Sequence, residues 1–404
     1  MREDIKERIE LIRAGKVPVG YKKTKLGIIP QKWEIVQIKD ILIKVDNPVE
    51  VKADEEYTQI GIRSHGKGIF YKEPITGKKL GNKRVFWVEP DCFIVNVVFA
   101  WERAVARTRK SDIGTIASHR FPMYKVDAIR LDLNYICTFF KTQRGNDVMQ
   151  FASPGGAGRN RTLGQDRFLK SMIYLPPIEE QRKIDEIIKC CENKIILQER
   201  KIRDKKKLFK KYVVKVVSGN TKVFKKDSTW KQVAFEDVFD YIQPSKYIVK
   251  STDYADDYET PVLTAGKTFI LGYTDEMQGI YENVPVIIFD DFTTDVQYVD
   301  FKFKVKSSAM KILKSKVGYD LLFMFYMMKS MNYIATAHER QWISKYSKLK
   351  VTVPPIEIQK QMANVFEQFR RELQLEEQLL LCYEKEKKAI IQLLLSGNVR
   401  TNQE

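Results

Sequence analysis

The sequence has few of the residues that build disulfide frameworks or metal centres. Its 5 cysteines show no C-x-x-C spacing and make an odd number, and its 3 histidines lie far apart along the chain. These counts argue against a disulfide scaffold, a structural metal site and a histidine-based catalytic triad. A long apolar run is also missing, and the first residues lack the hydrophobic core of a signal peptide. We therefore expect a cytoplasmic protein with no membrane partner.

Acidic residues are in deficit as well. The chain has 70 Lys and Arg residues against 52 Asp and Glu residues, which gives a formal charge of +18. Nucleic acid is the commonest partner of such a chain, because each phosphate that Lys or Arg neutralises releases condensed counterions. The 404 residues predict two or more domains, and a hydrophobic content of 44% can supply a core for each.

An internal repeat with an offset of 178 residues (175 to 353) organises the chain. The segment LPPIEEQ at 175–181 returns as VPPIEIQ at 353–359, and SGN at 218–220 returns at 396–398 without a gap. Proline is typical of the first turn of a helix and glycine of the position just after its last turn. Neither residue occurs between these markers, so each copy predicts one helix of roughly 40 residues and about 60 Å.

Apolar residues seven apart indicate what these helices pack against. An antiparallel coiled coil within the chain is expected, because the intervening domain must return the chain to the start of the second helix. The predicted seam consists of Ile188, Ile195, Ile202, Phe209 and Val216 in the first copy and Phe366, Leu373, Leu380 and Leu394 in the second. Lys387 interrupts the second seam, and looser pairing is expected there.

A third partial copy lies near the N-terminus, where IELIRAGKV at 9–17 resembles IQLLLSGNV at 391–399. The predicted fold is α+β, a circularly permuted pseudo-two-fold repeat with two globular domains separated by the two long helices. Residues 1–29 complete the distal repeat. The first domain spans 30–174, the central helix segment 175–222, the second domain 223–352 and the distal helix segment 353–404. Both domains contain short β-type runs between glycine turns and one late helix.

Basic and amide side chains among glycines and aromatics are the candidates for nucleic-acid contact, since arginine suits guanine and phosphate, and glutamine suits adenine. The candidates in the first domain are Arg63, His65, Lys67, Lys79, Arg84, Arg103, Arg107, Arg159 and Arg161, and those in the second are Lys246, Lys267, Gln297, Arg340 and Lys345. No catalytic or metal site is indicated. AGKT at 265–268 lacks the earlier glycine of a phosphate-binding loop, and Asp290 and Asp291 are interpreted as hydrated turn residues.

The chain resembles the specificity subunits of type I restriction–modification systems over essentially its whole length. The resemblance depends most on LPPIEEQ and VPPIEIQ, with further similarity in GYKKTKLGIIPQKW at 20–33, GIRSHGKGIF at 61–70, FAWE at 99–102 and SHRFP at 118–122. It implies a non-catalytic subunit whose two target-recognition domains each read one half of a bipartite double-stranded DNA site. The helices would set the unread spacer and dock two methyltransferase subunits, and motor–nuclease subunits would join them. S-adenosylmethionine, ATP and magnesium are expected only on those partners.

Two other functions stay open from the residues alone. A standalone DNA nuclease or methyltransferase is disfavoured, because no recognisable catalytic constellation occurs. A coiled-coil scaffold without DNA function would leave the charge of +18 incidental.

Overall fold

The computed structural model describes residues 3–155, 161–264, 268–331, 333 and 340–401. The chain divides into two compact units. The first unit comprises Met1–Ile196 and Leu381–Glu404, and the second comprises Leu197–Leu380. Both long helices contribute residues to both units. No helix within the described ranges is long and apolar enough to cross a lipid bilayer.

The elements follow one another in a mixed α and β order. Up to the first long helix they are α1 (Glu3–Arg13), β1 (Tyr21–Thr24), β2 (Gly27–Pro30), β3 (Glu34–Gln37), β4 (Leu42–Val45), β5 (Glu56–Tyr57), β6 (Ile60–Ile62), β7 (Ile69–Tyr71), β8 (Ile75–Thr76), α2 (Gly77–Leu80), β9 (Val85–Trp87), β10 (Phe93–Val95), β11 (Val105–Arg107), β12 (Ile116–Ser118), β13 (Met123–Val126), α3 (Leu133–Phe139), α4 (Gln143–Phe151), α5 (Gln165–Lys170) and β14 (Met172–Leu175). The remainder are α6 (Ile178–Val217), β15 (Lys231–Ala234), α7 (Phe235–Val238), β16 (Phe239–Ile242), β17 (Thr260–Leu263), β18 (Ile270–Thr274), β19 (Val286–Asp290), β20 (Val296–Val299), β21 (Lys304–Val305), β22 (Met310–Ser315), α8 (Leu321–Ser330), β23 (Lys350–Val353) and α9 (Ile356–Leu395).

The two long helices begin and end where the repeat predicts. Each is 40 residues long and starts directly after a Pro-Pro pair. Glutamates in the first turn interact favourably with the helix dipole. Gly219 and Gly397 follow the last turns with φ of 69° and 72°, a left-handed conformation in which a Cβ would be strained. The prediction of two helices of this length is confirmed.

The two domains are built on sheets of the same strand order. The first unit has an antiparallel sheet in the order β11-β10-β13-β4, and the second has β20-β19-β22-β16. In each domain the entering strand also pairs with the leaving strand, β3 with β14 and β15 with β23, so the chain leaves directly into a long helix. The expected α+β architecture is confirmed, and the two domains share a scaffold although their sequences differ.

Within each unit the long helices pack antiparallel. In the first unit, the start of α6 shares one core with the end of α9 through Ile184, Ile188, Leu394 and Leu395. In the second unit, the end of α6 shares a core with the start of α9, and the Phe209 and Phe369 rings stack at 4.9 Å. The predicted antiparallel pairing is therefore confirmed.

The predicted seam residues all lie on the less exposed face of these helices. Ile188, Ile202, Val216, Phe366 and Leu394 are buried, and Ile195, Phe209, Leu373 and Leu380 are half-buried. At Lys387, where the sequence predicts looser pairing, the side chain forms an ion pair with Glu192 at 2.7 Å. Lys194 and Glu386 form a second cross-helix pair in the same unit. Charge pairing thus replaces apolar contact along this part of the seam.

The glutamine of the repeated motif connects each long helix to its domain. Gln181 accepts a hydrogen bond from the Asp132 N–H and donates one to the Pro176 carbonyl, at 2.9 and 2.8 Å. Asp132 in turn caps α3. In the second unit, Gln359 forms the equivalent bonds with Asp320, which caps α8, and with Pro354, at the same distances.

The N-terminal segment packs against the C-terminal turn within the first unit. The Tyr21 hydroxyl donates to the Gly397 carbonyl at 2.7 Å, and the Trp33 indole N–H donates to Glu180 at 2.9 Å. Arg400 binds the same carboxylate through two nitrogens, at 2.6 and 2.9 Å. The two ends of the chain therefore complete a single structural unit.

Candidate nucleic-acid interface

A loop between β6 and β7 carries three of the predicted contact residues, Arg63, His65 and Lys67, and all three are exposed. The loop is held by backbone hydrogen bonds to the 3₁₀ turn Ala100–Glu102. The His65 N–H donates to the Glu102 carbonyl at 2.7 Å, and the adjacent glycine N–H donates to the Arg103 carbonyl at 2.8 Å. His65 has φ of 60°, a conformation uncommon for a residue with a Cβ.

Two arginines lie at the same 3₁₀ turn, one directly after it and one from a later segment. Arg103 also has a left-handed backbone and donates from its guanidinium to Gln143 at 2.8 Å. Arg161 lies over the Trp101 ring at 5.7 Å. The structure therefore brings His65, Arg103 and Arg161 to one turn, although they are almost 100 residues apart in sequence. We call this group the turn cluster.

The other predicted residues of the first domain lie on different segments. Arg107 is already bound to Asp91 and Asn134, each at 2.6 Å. Lys79 is exposed on α2, and Arg84 borders an open cavity of about 730 Å³ that Lys78 and Lys83 also line. Arg159 falls outside the described residues.

In the second domain the predicted residues are dispersed. Lys246 is exposed on a 3₁₀ turn, and Gln297 is half-buried on β20, where it donates to Asp295 at 2.9 Å. Arg340 and Lys345 are exposed and lie on one segment before β23, which we call the 340–345 segment. Lys267 falls outside the described residues.

The interpretation of Asp290 and Asp291 as hydrated turn residues is wrong, because they are only 5% and 1% exposed. Asp290 accepts a hydrogen bond from the Phe292 N–H at 3.0 Å and so closes the turn after β19. Asp291 forms an ion pair with Lys311 at 3.2 Å, and both side chains are 2% exposed. Lys311 lies inside the apolar strand β22, and this is the sequence signal from which a buried acidic partner could be predicted.

A second buried lysine, Lys304, pairs with Glu276 at 2.8 Å. Burial would raise the pKa of the Glu276 carboxyl, but Lys304 and the backbone N–H groups of Lys250 and Ser251 lower it to about 2. This carboxylate is therefore ionised at neutral pH and fixes the backbone close to Lys246 on the neighbouring 3₁₀ turn. In the parts of the chain that the structure describes, no group of three or more His, Cys, Asp or Glu side chains is arranged to hold a metal ion.

Comparison with known proteins gives concordant results. Residues 227–381 match the family described as Type I restriction modification DNA specificity domain. Over 120 residues the chain is 52% identical to the EcoR124I/EcoR124II specificity subunit of Escherichia coli, an alignment that spans 28% of this chain and 30% of that protein. The putative MjaX specificity subunit of Methanocaldococcus jannaschii is 24% identical over 94% of this chain and 97% of its own length.

Solved structures share the fold of most of the chain. The HsdS subunit from Thermoanaerobacter tengcongensis gives a TM-score of 0.52 at 14% identity and covers 92% of this chain and 98% of its own. A chain from a structure of type I restriction–modification complex assembly gives 0.63 at 12% identity, covering 92% and 99%. At these identities the likeness concerns the fold alone.

A matched DNA specificity domain, set in a repeat of two domains and two long helices, defines the class: a DNA specificity protein of restriction systems. Residues 227–381 match the DNA specificity domain of type I restriction–modification systems, and the chain is similar to specificity subunits of such systems in sequence and in fold. These are the non-catalytic, DNA-recognising subunits of their enzymes. The family therefore favours DNA recognition over a standalone enzyme and over a scaffold without DNA function.

Proposed function

We propose that this chain reads a bipartite double-stranded DNA site, one half through each domain. The observation that carries the proposal is one scaffold present twice with different surface chemistry. The sheets have the same strand order, and the Gln181 and Gln359 bonds are equivalent. The first domain presents the turn cluster, whereas the second presents the 340–345 segment over buried ion pairs. Unlike surfaces on like scaffolds predict unlike half-sites.

We further propose that α6 and α9 set the length of the unread spacer. A helix of 40 residues without an interior proline or glycine is a stiff rod of about 60 Å. In both units its packing is reinforced by cross-helix ion pairs, such as Lys194–Glu386 in the first and Lys205–Glu376 in the second. A stiff connection suits a gapped site, because half-sites one helical turn of DNA apart are about 34–36 Å from centre to centre.

The helices also expose apolar residues that suit docking of the two modification subunits. Ile187 and Ile196 are exposed in the first unit, and Leu208 and Leu375 are 60% and 64% exposed in the second. Docking of a modification subunit would remove such exposed apolar side chains from water. Under this proposal S-adenosylmethionine, ATP and magnesium bind the modification and motor–nuclease subunits, and the complex acts on chromosomal DNA in the cytoplasm.

The test is to sequence the methylated adenines of a host that carries this chain with its modification subunits. We expect one gapped motif with two unlike halves. Exchanging residues 34–170 for the equivalent domain of another specificity subunit should change one half and leave the other and the spacer length unaltered. Methylation of a continuous motif, or a change in both halves, would contradict the proposal. The purified chain without modification subunits should transfer no methyl groups.

The spacer role has its own test. Inserting one heptad into α6 and one into α9 should lengthen the unread spacer while the bases of both halves stay the same. A control chain with conservative substitutions at seven exposed helix positions keeps the length and should keep the spacer. An insertion that leaves the spacer unchanged in an active complex would show that the helices do not set it.

The turn cluster can be tested by DNA affinity. Arg103→Gln should weaken binding, either at one base position by about 1–3 kcal/mol or uniformly with a salt slope lower by about 1, depending on whether it contacts a base or a phosphate. Arg13→Gln, on the exposed face of α1, is the matched control and should change neither. If both variants bound DNA equally well in the assembled complex, Arg103 would not be part of the DNA interface.

A further inference from the structure

Two charged side chains are sequestered in the core of the second domain. Lys311 is 1% exposed on β22, and its ammonium lies 3.2 Å from Asp291 Oδ2. The ammonium also donates to the Tyr241 hydroxyl at 3.2 Å and lies 5.2 Å from the centre of that ring. The lysine therefore contacts a carboxylate, a hydroxyl and an aromatic face.

Asp291 connects this lysine to the segment that carries two predicted DNA contacts. Its Oδ1 accepts a hydrogen bond from the Trp342 N–H at 2.8 Å. Its main-chain carbonyl accepts another from the Gln341 N–H at 2.9 Å. Two consecutive N–H groups of the 340–345 segment are thus bound by one residue, which lies at the end of the central strand β19. These two hydrogen bonds attach the 340–345 segment to the sheet.

Stability alone does not account for a charged pair here. Replacing a buried ion pair by apolar residues of similar volume is often neutral or stabilising, because both charges lose their hydration. What an apolar pair cannot do is accept the Trp342 N–H. In the first domain the segment carrying Arg161, which has the same place in chain order, is held by a backbone bond from the Leu163 N–H to the Val97 carbonyl at 2.8 Å. The second domain adds a side-chain acceptor, Asp291 Oδ1, to a backbone bond of this kind.

We propose that Asp291 and Lys311 are positioning residues for reading of the second half-site. Asp291 fixes the backbone at 341–342, and the Lys311 ammonium pairs with its carboxylate inside the core. Together they determine where Arg340 and Lys345 present their charges. This inference rests on the proposed function and assigns the second half-site a determinant that never touches DNA.

Two double variants separate the hydrogen bond from the charge. Asp291→Asn with Lys311→Met removes both charges but keeps an Oδ1 that can accept the Trp342 N–H. Asp291→Leu with Lys311→Met removes the acceptor as well. Lys302→Met, in the exposed Lys302–Glu259 pair of the same domain, is the matched surface control. Each full-length chain is assembled with modification subunits, and adenine methylation is sequenced while thermal melting is recorded.

We expect the Asn–Met variant and the Lys302 variant to keep both half-sites. The Leu–Met variant should keep the first half-site and lose discrimination at one or more positions of the second by about 5- to 150-fold, the range for one misplaced base contact. Should the Leu–Met variant fail to fold, Asp291→Ala with Lys311→Met is a second acceptor-free variant. A merely structural role would affect melting and both half-sites alike.

The inference is overturned if an acceptor-free variant assembles and methylates the wild-type motif with unchanged preference at the second half-site. Equal relaxation of both half-sites would overturn it as well, because the effect would then be a general loss of stability. A wild-type complex without a gapped motif would instead refute the proposed function. The domain exchange identifies the half-site that the second domain reads, because this half-site stays unchanged when residues 34–170 are replaced.

Discussion

The glutamine of the repeated motif offers the sharpest test of how the long helices are attached. Gln359 is 1% exposed, and its amide forms two hydrogen bonds, from the Asp320 N–H and to the Pro354 carbonyl. Replacing Gln359 by Leu keeps a side chain of similar size but leaves the buried Pro354 carbonyl and the partly buried Asp320 N–H without these partners. An unsatisfied buried polar group costs about 1–3 kcal/mol, so we expect a loss of about 2–6 kcal/mol in the stability of the second unit.

The assay combines thermal melting with hydrogen exchange measured by mass spectrometry. For a unit of this size the expected loss corresponds to a melting temperature lower by on the order of 5–20 °C. Exchange should accelerate most in α8, because Asp320 caps that helix. Gln181→Leu should have the equivalent effect in the first unit, where it should destabilise α3. It should leave α8 unaltered, since distant sites without shared partners act independently.

Gln378→Leu is the matched control, because this glutamine is exposed on the same helix, and the change should stay within about 0.5 kcal/mol. Our reasoning would be refuted if Gln359→Leu melted within about 1 °C of the wild type, where the lost bonds predict several degrees. It would also be refuted if exchange in α8 were no faster than in the control.

Three further changes probe the helix pair and the joined chain ends. Phe366→Ala, at a fully buried ring 4.7 Å from Tyr326, should cost about 3–5 kcal/mol in denaturant unfolding. The hydrogen bond from Lys201 is the main cause that lowers the pKa of Glu376 from 4.5 to about 2. The ionised carboxylate therefore stabilises the fold above pH 4.5, and this stabilisation is lost as the pH falls towards 2. Glu376→Gln should make the free energy of unfolding less dependent on pH between about 5 and 2. Arg400→Leu leaves the buried Glu180 carboxylate without its cation and should cost about 3–5 kcal/mol in unfolding of the first unit.

Each of these changes has an exposed counterpart on the same helices. Leu375→Ala, Glu384→Gln and Arg200→Leu should leave stability within about 0.5 kcal/mol of the wild type. If Phe366→Ala behaved like Leu375→Ala, the aromatic packing of the helix start would not contribute to stability. Parallel pH curves for wild type and Glu376→Gln would show that Glu376 titrates alike in the folded and unfolded chain. An Arg400 variant as stable as its control would mean that the chain ends are joined by other contacts.

The candidate contacts show where reasoning from sequence reached its limit. Arg63, His65 and Lys67 lie among glycines in the sequence and are exposed on one loop. Arg107 came from an equally basic run, yet its guanidinium is already bound to Asp91 and Asn134. Composition indicates charge along the chain but not which charges are already paired, because partners come from strands and helices many residues away.

Asp291 illustrates the same limit in the core. A short acidic run after an apolar strand is typical of a solvated turn. Here Asp291 is buried because it forms an ion pair with Lys311 on the adjacent strand β22. The roles of Gln181 and Gln359 were equally hidden. Both residues belong to the repeated motif, but their hydrogen-bond partners Asp132 and Asp320 lie about 40–50 residues earlier in the chain.

The amino-acid sequence by itself determined the two long helices, their ends and the permuted repeat. These depend on local signals, namely a proline pair, a left-handed glycine and apolar residues at heptad spacing, and local signals act before any distant contact forms. Only the tertiary structure decided that both domains share one strand order, which arginines gather at the turn cluster and which lysines are buried. Strand pairing and charge burial are long-range choices, since their free energy depends on what the rest of the fold packs around each group.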